Sequence, residues 1–216
     1  HPNITTLPTC IDPTVFRKSP QADARRRLEL EAAGPVIMIA AETGNEKRKG
    51  FPSVLKALQQ CCENDSFLAS GPTILQVGRA HELLDILPIP TVNLGWVDSE
   101  ERLALIFAAS DFFILPSRED NLPNMAIEAV CGFEIGGLPD IVENGKTGFL
   151  VALDEIEALA DKILLLTLNE ARRSELSVAA TENAHRIFGA SSVCPLIVDL
   201  NDDTIMRLVA PPNSNE

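Results

Sequence analysis

From residue 35 onward, short apolar runs alternate with segments of helical periodicity. The run over 35–41 is continuously apolar, which is typical of a strand buried on both faces of a sheet. Strand-like segments follow over 71–78, 91–97, 111–117 and 147–153. The segments between and after them predict helices over 51–64, 99–110, 123–132, 154–169 and 170–189. Such alternation indicates βαβ units, so we predict an α/β, Rossmann-like parallel sheet with helices on both faces.

Local signals support several of these helices. Val54, Leu55, Leu58 and Cys62 fall on one stripe of the helix over 51–64. The helix over 99–110 opens with a serine in the capping position and glutamate in its first turn. The helix over 123–132 begins with proline, which a first turn tolerates, and its last residue is a glycine, a common helix terminator.

Composition limits the classes of protein and of partner. The 216 residues suffice for one good-sized domain, and 45% hydrophobic and 23% charged residues are those of a globular protein. The net charge of −13 disfavours nucleic acid or an anionic membrane as a broad partner. The amino end has no signal-peptide pattern, and the longest apolar run, ILLLTL, is far short of the roughly 20 residues of a spanning helix. We therefore expect no stable membrane insertion.

The metal-ligating and aromatic residues predict structural roles. The five cysteines have no C-x-x-C spacing and the three histidines are scattered, so we expect reduced, mostly buried cysteines and no metal site. Reduced cysteines are typical of the cytoplasm, where we therefore expect the protein. Trp96, Phe112 and Phe113 are interpreted as core or near-core residues, whereas His81 and His185 are expected on solvated helices.

In open parallel sheets, ligands bind at the carboxyl ends of the strands. The first predicted strand is followed by Lys47, Arg48, Lys49 and Gly50 directly before a helix. Cations beside a helix amino terminus form an anion site, because the free N–H groups and the helix dipole favour negative charge. The alternative is a solvated basic turn.

Two further strand ends carry candidate binding residues. After the strand over 111–117, Asp120 lies in a loop and Glu128 in the following helix, where carboxylates can accept hydrogen bonds from sugar hydroxyls. Alternatively, Asp120 or Asn121 caps that helix and Glu128 is solvated. Further on, Gly136 and Gly137 form a turn that lets backbone approach a ligand closely, although such a pair is often only a turn.

Together these segments resemble the carboxy-terminal, donor-binding domain of the retaining "group 1" (family four) glycosyltransferases, one half of a GT-B fold. The resemblance runs from about Leu7 to Phe188. It is carried by LPTCIDPTVFRK, KRKGF, LGWVDSEERLALIFAASDFFILPS, EDNLPNMAIEA and IGGLPDIVENGKTGFLV.

The resemblance implies roles for individual residues. The family's pair of acids with seven residues between them falls on Asp120, beside the donor sugar, and Glu128, which would bind the ribose hydroxyls. Asp120 replaces the usual glutamate, and Glu119 immediately precedes it. The diphosphate-binding lysine falls on Lys49, whereas the family's arginine has no match in MIAAETGN and Arg48 is the nearest substitute. The other implied donor-binding residues are Gly95 and Val97 near the base, with Asn121, Leu122, Asn124, Gly136 and Gly137 near the sugar and pyrophosphate.

The implied activity is transfer of a sugar from a nucleotide-diphosphate sugar to a hydroxyl acceptor with retention, without a metal ion or other cofactor, in polysaccharide or lipopolysaccharide synthesis. We expect residues 1–34 to lead in from a missing amino-terminal acceptor domain, 35–190 to form the nucleotide-sugar-binding domain, and 191–216 to be a tail. On this basis the isolated chain holds only the donor side.

The sequence departs from the family between the two acids and the glycine turn. Only VCGFE, residues 130–134, separates the predicted helix from IGG, so an interior strand is expected to be shortened or missing around 130–135. This supports an alternative, a non-catalytic relic or interaction module that keeps the fold without binding a donor. A dinucleotide-dependent oxidoreductase is disfavoured because no G-x-G-x-x-G follows the first strand; a sugar-nucleotide epimerase is a minor alternative.

Overall fold

A computed structural model describes residues 12, 14–16, 19–41, 50–78, 82–115, 117, 130–189 and 192. Its centre is a six-stranded, wholly parallel sheet in the order β3-β2-β1-β4-β5-β6. The strands are β1 (Val36–Ala41), β2 (Thr73–Gly78), β3 (Thr91–Asn93), β4 (Phe112–Leu115), β5 (Val130–Phe133) and β6 (Gly148–Val151). The prediction of a Rossmann-like parallel α/β sheet is confirmed.

Seven helices and one 3₁₀ segment lie in the part of the chain that the structure describes. They are α1 (Gln21–Arg27), α2 (Phe51–Cys62), α3 (Asp65–Ala69), the 3₁₀ helix Glu82–Ile86, α4 (Glu100–Ala109), α5 (Leu138–Ile141), α6 (Ile156–Leu168) and α7 (Glu170–Phe188). The predicted serine cap of α4 is confirmed, because the Ser99 hydroxyl accepts a hydrogen bond from the Arg102 N–H at 3.2 Å. Over these residues, no helix combines the length and apolar character needed to cross a bilayer.

The sheet is continuous through the region where the sequence predicted a defect. β5 consists of four fully buried residues and pairs with β4 on one side and β6 on the other. It is as long as β4 and β6, so the interior strand is short but present, and the alternative of a missing strand is wrong. The short segment VCGFE, which seemed too short to include a strand, supplies the four residues of β5.

The helix predicted over 123–132 is wrong at its carboxyl end, since Val130, Cys131 and Gly132 belong to β5. The glycine that resembled a helix terminator has another cause. A Cβ atom at position 132 would lie 2.8 Å from the Leu115 carbonyl oxygen of β4. Gly132 is therefore the residue that lets the backbones of β4 and β5 come close together.

The core lies between the sheet and two groups of helices. α2, α3 and α6 pack against one another, and α6 also contacts β5 and β6, whereas α1 packs on α4. Phe112 and Phe113 are fully buried as predicted, and the Phe113 ring meets the Phe107 ring edge to face at 6.0 Å between centroids. Among the described cysteines, Cys61 and Cys131 are buried and free, and Cys62 is half-buried and free.

Helix α1 lies within residues 1–34 but is bound to the sheet domain. Gln21 donates a hydrogen bond to the Ser110 carbonyl at 3.0 Å, and Arg25 donates one to the Ala109 carbonyl at 3.0 Å. The Arg25 guanidinium also contacts the Asp111 carboxylate at 2.7 Å. The segment before β1 thus contributes a helix to the domain, while the origin of residues 1–34 in an amino-terminal domain stays a prediction.

Candidate functional site

The carboxyl ends of three adjacent strands are level with one another. Ala41, the last residue of β1, pairs with Gly78, the last residue of β2. The Gly78 N–H donates a hydrogen bond to the Gly95 carbonyl oxygen at 2.8 Å, two residues beyond the end of β3. The strand order reverses between β1 and β4, and this switch point is where open α/β sheets form their ligand crevice.

The loop after β3 is held by hydrogen bonds on both sides of Gly95. The Leu94 N–H donates to the Gln76 carbonyl at 2.9 Å, and the Gly95 N–H donates to the Asn93 side-chain oxygen at 2.8 Å. Gly95 has a φ of 68°, a left-handed conformation that favours glycine. Val97 is partly buried and packs against the core. Gly95 and Val97 therefore frame a fixed loop at the carboxyl edge of the sheet.

Trp96, between these two residues, is 65% exposed, so its prediction as a core or near-core residue is wrong. The predicted strand over 91–97 ends at Asn93, and the backbone leaves the ladder after Gly95. The indole is consequently not covered by the sheet or its helices and is exposed to solvent. The sequence did contain a sign of this exposure: Trp96 lies between a glycine and the serine cap of α4, a position typical of a loop.

The glycine turn follows the carboxyl end of β5. The Glu134 N–H donates to the Val151 carbonyl at 2.7 Å and extends the ladder by one residue beyond Phe133. Gly136 then has a left-handed φ of 51°, and Gly137 precedes the four-residue helix α5. The expected turn is present at the same edge of the sheet as Gly95.

Seven of the predicted site residues lie outside the described residues. They are Arg48, Lys49, Asp120, Asn121, Leu122, Asn124 and Glu128. Their positions in the chain are still informative: Arg48 and Lys49 belong to the connection from β1 to α2, and the others to the connection from β4 to β5. Since β1 and β4 are neighbours, both connections leave the sheet at its switch point.

The remaining predictions about titratable and metal-binding groups concern residues outside this edge. His185 is exposed on α7 as predicted, and His81 lies outside the described residues. Within the ranges that the structure covers, no three histidine, cysteine or acidic side chains are grouped in a way that could hold a metal ion.

A family model described as "Glycosyl transferases group 1" matches residues 34–169. The chain belongs to this family. The match covers all six strands and the loops that leave the sheet at its carboxyl edge.

Curated relatives are distant and longer than the chain. A D-inositol 3-phosphate glycosyltransferase of Saccharomonospora viridis is 27% identical over 206 residues, which cover 85% of this chain and 46% of the relative. The chain thus spans about half the length of the curated relatives it matches.

Solved structures share the fold. HepE of Anabaena in complex with UDP superposes with a TM-score of 0.76 at 19% identity, covering 91% of this chain and 57% of that one. The C-terminal domain of a group 1 family glycosyl transferase (LpcC) from Francisella tularensis superposes with a TM-score of 0.65 at 15% identity, covering 80% of this chain and 95% of that one. The fold is therefore that of the carboxy-terminal, GT-B-type domain of group 1 glycosyltransferases.

Proposed function

We propose that this chain is the donor-binding half of a retaining glycosyltransferase that uses a nucleotide-diphosphate sugar. The observation that carries the proposal is the common edge formed by Ala41, Gly78, Gly95 and the glycine turn at Gly136. This edge includes the switch point of the sheet, between β1 and β4, and the chain belongs to a family of glycosyltransferases. A structural neighbour, HepE, has been crystallised with UDP, which supports a nucleotide as ligand.

The chemistry follows from the residues assigned to this edge. In the transfer, the bond between the anomeric carbon and the diphosphate oxygen breaks, and a bond to the acceptor oxygen forms on the same face. The proton of the acceptor hydroxyl passes to the departing diphosphate. Negative charge grows on the departing diphosphate. Lys49 and Arg48 would stabilise it together with the backbone N–H groups of Asn121, Leu122 and Asn124, without a metal ion.

The remaining roles concern the sugar and the nucleoside. Asp120 would lie beside the donor sugar and Glu128 would bind the ribose hydroxyls. Gly95 and Val97 would lie near the base, and Gly136 and Gly137 near the sugar and pyrophosphate. An amino-terminal domain would bind the hydroxyl acceptor, and the reaction would belong to polysaccharide or lipopolysaccharide synthesis in the cytoplasm.

Thermal unfolding with added UDP, GDP or ADP tests the proposal. A nucleotide present at a hundred times its dissociation constant adds about 2.7 kcal/mol to the free energy of unfolding, because it binds only the folded state. We expect one of the three to raise the unfolding temperature and the other two to have smaller effects. Inorganic sulfate at the same ionic strength is the control for nonspecific anion effects.

The alternative function is a non-catalytic relic or interaction module. One observation still favours it: the segment MIAAETGN, which begins within β1 and runs on past its last residue, lacks the arginine found in the family. The short segment over 130–134, which also supported the relic, no longer does so strongly, because β5 is complete and paired on both sides. If millimolar UDP, GDP and ADP all leave the unfolding temperature unchanged, the result contradicts binding of these donors and favours the relic.

A further inference from the structure

The single tryptophan of the chain is also the most exposed large hydrophobic residue that the structure describes. We infer that the Trp96 indole is the stacking surface for the nucleobase of the bound nucleotide. This inference rests on the proposed function and assigns a specific contact within it. Leaving an indole in water is unfavourable, and a flat aromatic ligand would remove that surface from solvent.

The backbone on either side of the indole is fixed before any ligand arrives. The Gly95 carbonyl oxygen accepts a hydrogen bond from the Gly78 N–H at 2.8 Å, and the Gly95 N–H donates one to the Asn93 side-chain oxygen at 2.8 Å. Val97 packs against the core. Two hydrogen bonds and one apolar contact therefore hold the loop that carries Trp96. A prepositioned aromatic ring binds with little loss of conformational entropy, since only its two side-chain torsions need to be restrained.

The distance from the Trp96 loop to the switch point suits a nucleotide whose base lies at the loop and whose phosphates lie at the switch point. Gly95 is level with the ends of β1 and β2, two strands away from Ala41. With neighbouring strands about 4.8 Å apart, the loop lies about 10 Å along the edge from β1. Phosphates bound at the crevice between β1 and β4 would leave the nucleoside to extend along the strand tips toward this loop.

Stacking is sequence-tolerant, because every base presents a π-face, and it contributes substantially to binding of single bases. Trp96 should therefore set how tightly the nucleotide binds more than which base is chosen. Choice of base would come from polar groups that contact the edge of the base. This separates two properties, affinity and selectivity, that can be measured independently.

Intrinsic fluorescence tests the contact directly, because Trp96 is the only tryptophan in these 216 residues. The full chain is titrated with UDP, GDP and ADP while tryptophan emission is followed, and binding is measured in parallel by calorimetry. We expect the nucleotide that stabilises the protein to quench or shift the emission, with a midpoint equal to the calorimetric dissociation constant. Trp96→Ala should weaken that nucleotide on the order of tenfold, and Trp96→Phe should weaken it less.

The control variant is Ile86→Ala, which removes another exposed apolar side chain, 58% exposed, on the 3₁₀ helix. It should leave nucleotide affinity unchanged. Equal unfolding temperatures of Trp96→Ala and the parent protein without nucleotide would show that the loop variant is folded. A nucleotide that binds without changing the emission, or that binds Trp96→Ala as tightly as the parent, overturns the stacking contact and leaves the donor-binding proposal intact. If no nucleotide binds at all, the donor-binding proposal itself is wrong, and the stacking contact with it.

Discussion

The Asp111 carboxylate pairs with Arg25 and joins three parts of the fold. One of its oxygens lies 2.7 Å from the Arg25 guanidinium of α1 and accepts the backbone N–H of Val36, the first residue of β1, at 2.6 Å. The other lies 3.5 Å from the Arg173 guanidinium of α7. All three side chains are at most one-fifth exposed, so the group is shielded from water and salt.

We expect Arg25→Met to lower the free energy of unfolding by about 1.5–3 kcal/mol, the range for hydrogen bonds to charged groups. The methionine keeps an apolar stem while the contacts with Asp111 and the Ala109 carbonyl are lost. Urea denaturation measures the change. The matched control is Arg26→Met on the same helix, whose 2.6 Å ion pair with Asp23 is exposed and should contribute less than about 1 kcal/mol. Equal losses in the two variants would contradict a structural role for the buried group.

Close contact between strands predicts a second pair of stability changes. A Cβ atom at Gly148 of β6 would lie 2.5 Å from the Val130 carbonyl oxygen and 2.9 Å from a Val142 methyl group. Because one of these atoms is backbone, Gly148→Ala must shift β5 or β6, at a cost of about 1–3 kcal/mol.

Gly145→Asn is the control for Gly148→Ala. Position 145 has open space around it and a φ of 77°, which asparagine tolerates better than other residues. Chemical denaturation of both variants gives the comparison. A loss at Gly145 as large as that at Gly148 would show that the strands are not closely packed there.

The contrast between β5 and the other strands shows what could be predicted from the sequence. Strands that are buried on both faces and mostly apolar, such as β1 and β2, begin and end within two residues of their predicted limits, because such burial favours a mostly apolar run. The sequence did not predict β5 because a glycine at position 132 can indicate either a helix end or a close approach of two backbones. Only its contact with Leu115 distinguishes the two. Trp96 was misplaced for a related reason: exposure depends on where the ladder stops, which Gly78 and Gly95 determine by a tertiary hydrogen bond. The acids and the lysine stay predictions, since their roles depend on loops outside the described residues.

Burial of thiols predicts how stability depends on alkaline pH. Desolvation, with smaller effects from Cys62 and Asp161, raises the pKa of Cys61 from 9.0 to about 12, and burial also raises the pKa of Cys131. Between pH 9 and 12 the folded state therefore binds more protons than the unfolded state. The free energy of unfolding should fall as pH rises through this range, by about 1 kcal/mol per pH unit for each thiol.

Cys61→Ala should flatten this decline, and Cys62→Ala should flatten it less because Cys62 is only half-buried. The chain contains no tyrosine, so no phenol ionises in the same range. Urea denaturation at pH 8, 9, 10 and 10.5 gives the profile. Identical slopes in the parent and in Cys61→Ala would contradict the assigned pKa of the buried thiol.

The short connection into β5 makes Glu128 the more informative of the two acids. Glu128 itself lies outside the described residues, but only Ala129 separates it from Val130, the first residue of β5. Two peptide units extend at most about 7.6 Å between Cα atoms. Val130 begins the strand at the amino edge, and three residues of rise, about 10 Å, separate it from the carboxyl edge where Gly136 follows. The ribose role of Glu128 therefore requires its side chain to make up the difference between this reach and the distance to the carboxyl edge. Variants of Glu128 can test whether it does.

Calorimetric titration of the acid variants with the stabilising nucleotide and with inorganic diphosphate separates the roles. If Glu128 binds the ribose hydroxyls, Glu128→Ala should abolish detectable nucleotide binding but leave diphosphate binding unchanged, because inorganic diphosphate has no ribose. Glu119→Ala should alter neither, since the spacing assigns the first acid role to its neighbour Asp120. Loss of nucleotide binding in Glu119→Ala, with normal binding in Glu128→Ala, would show that the acid pair was assigned to the wrong residues. If Glu128→Ala instead binds the nucleotide normally and only unfolds more easily, Glu128 stabilises the start of β5, and the ribose must be held by other groups at the carboxyl edge.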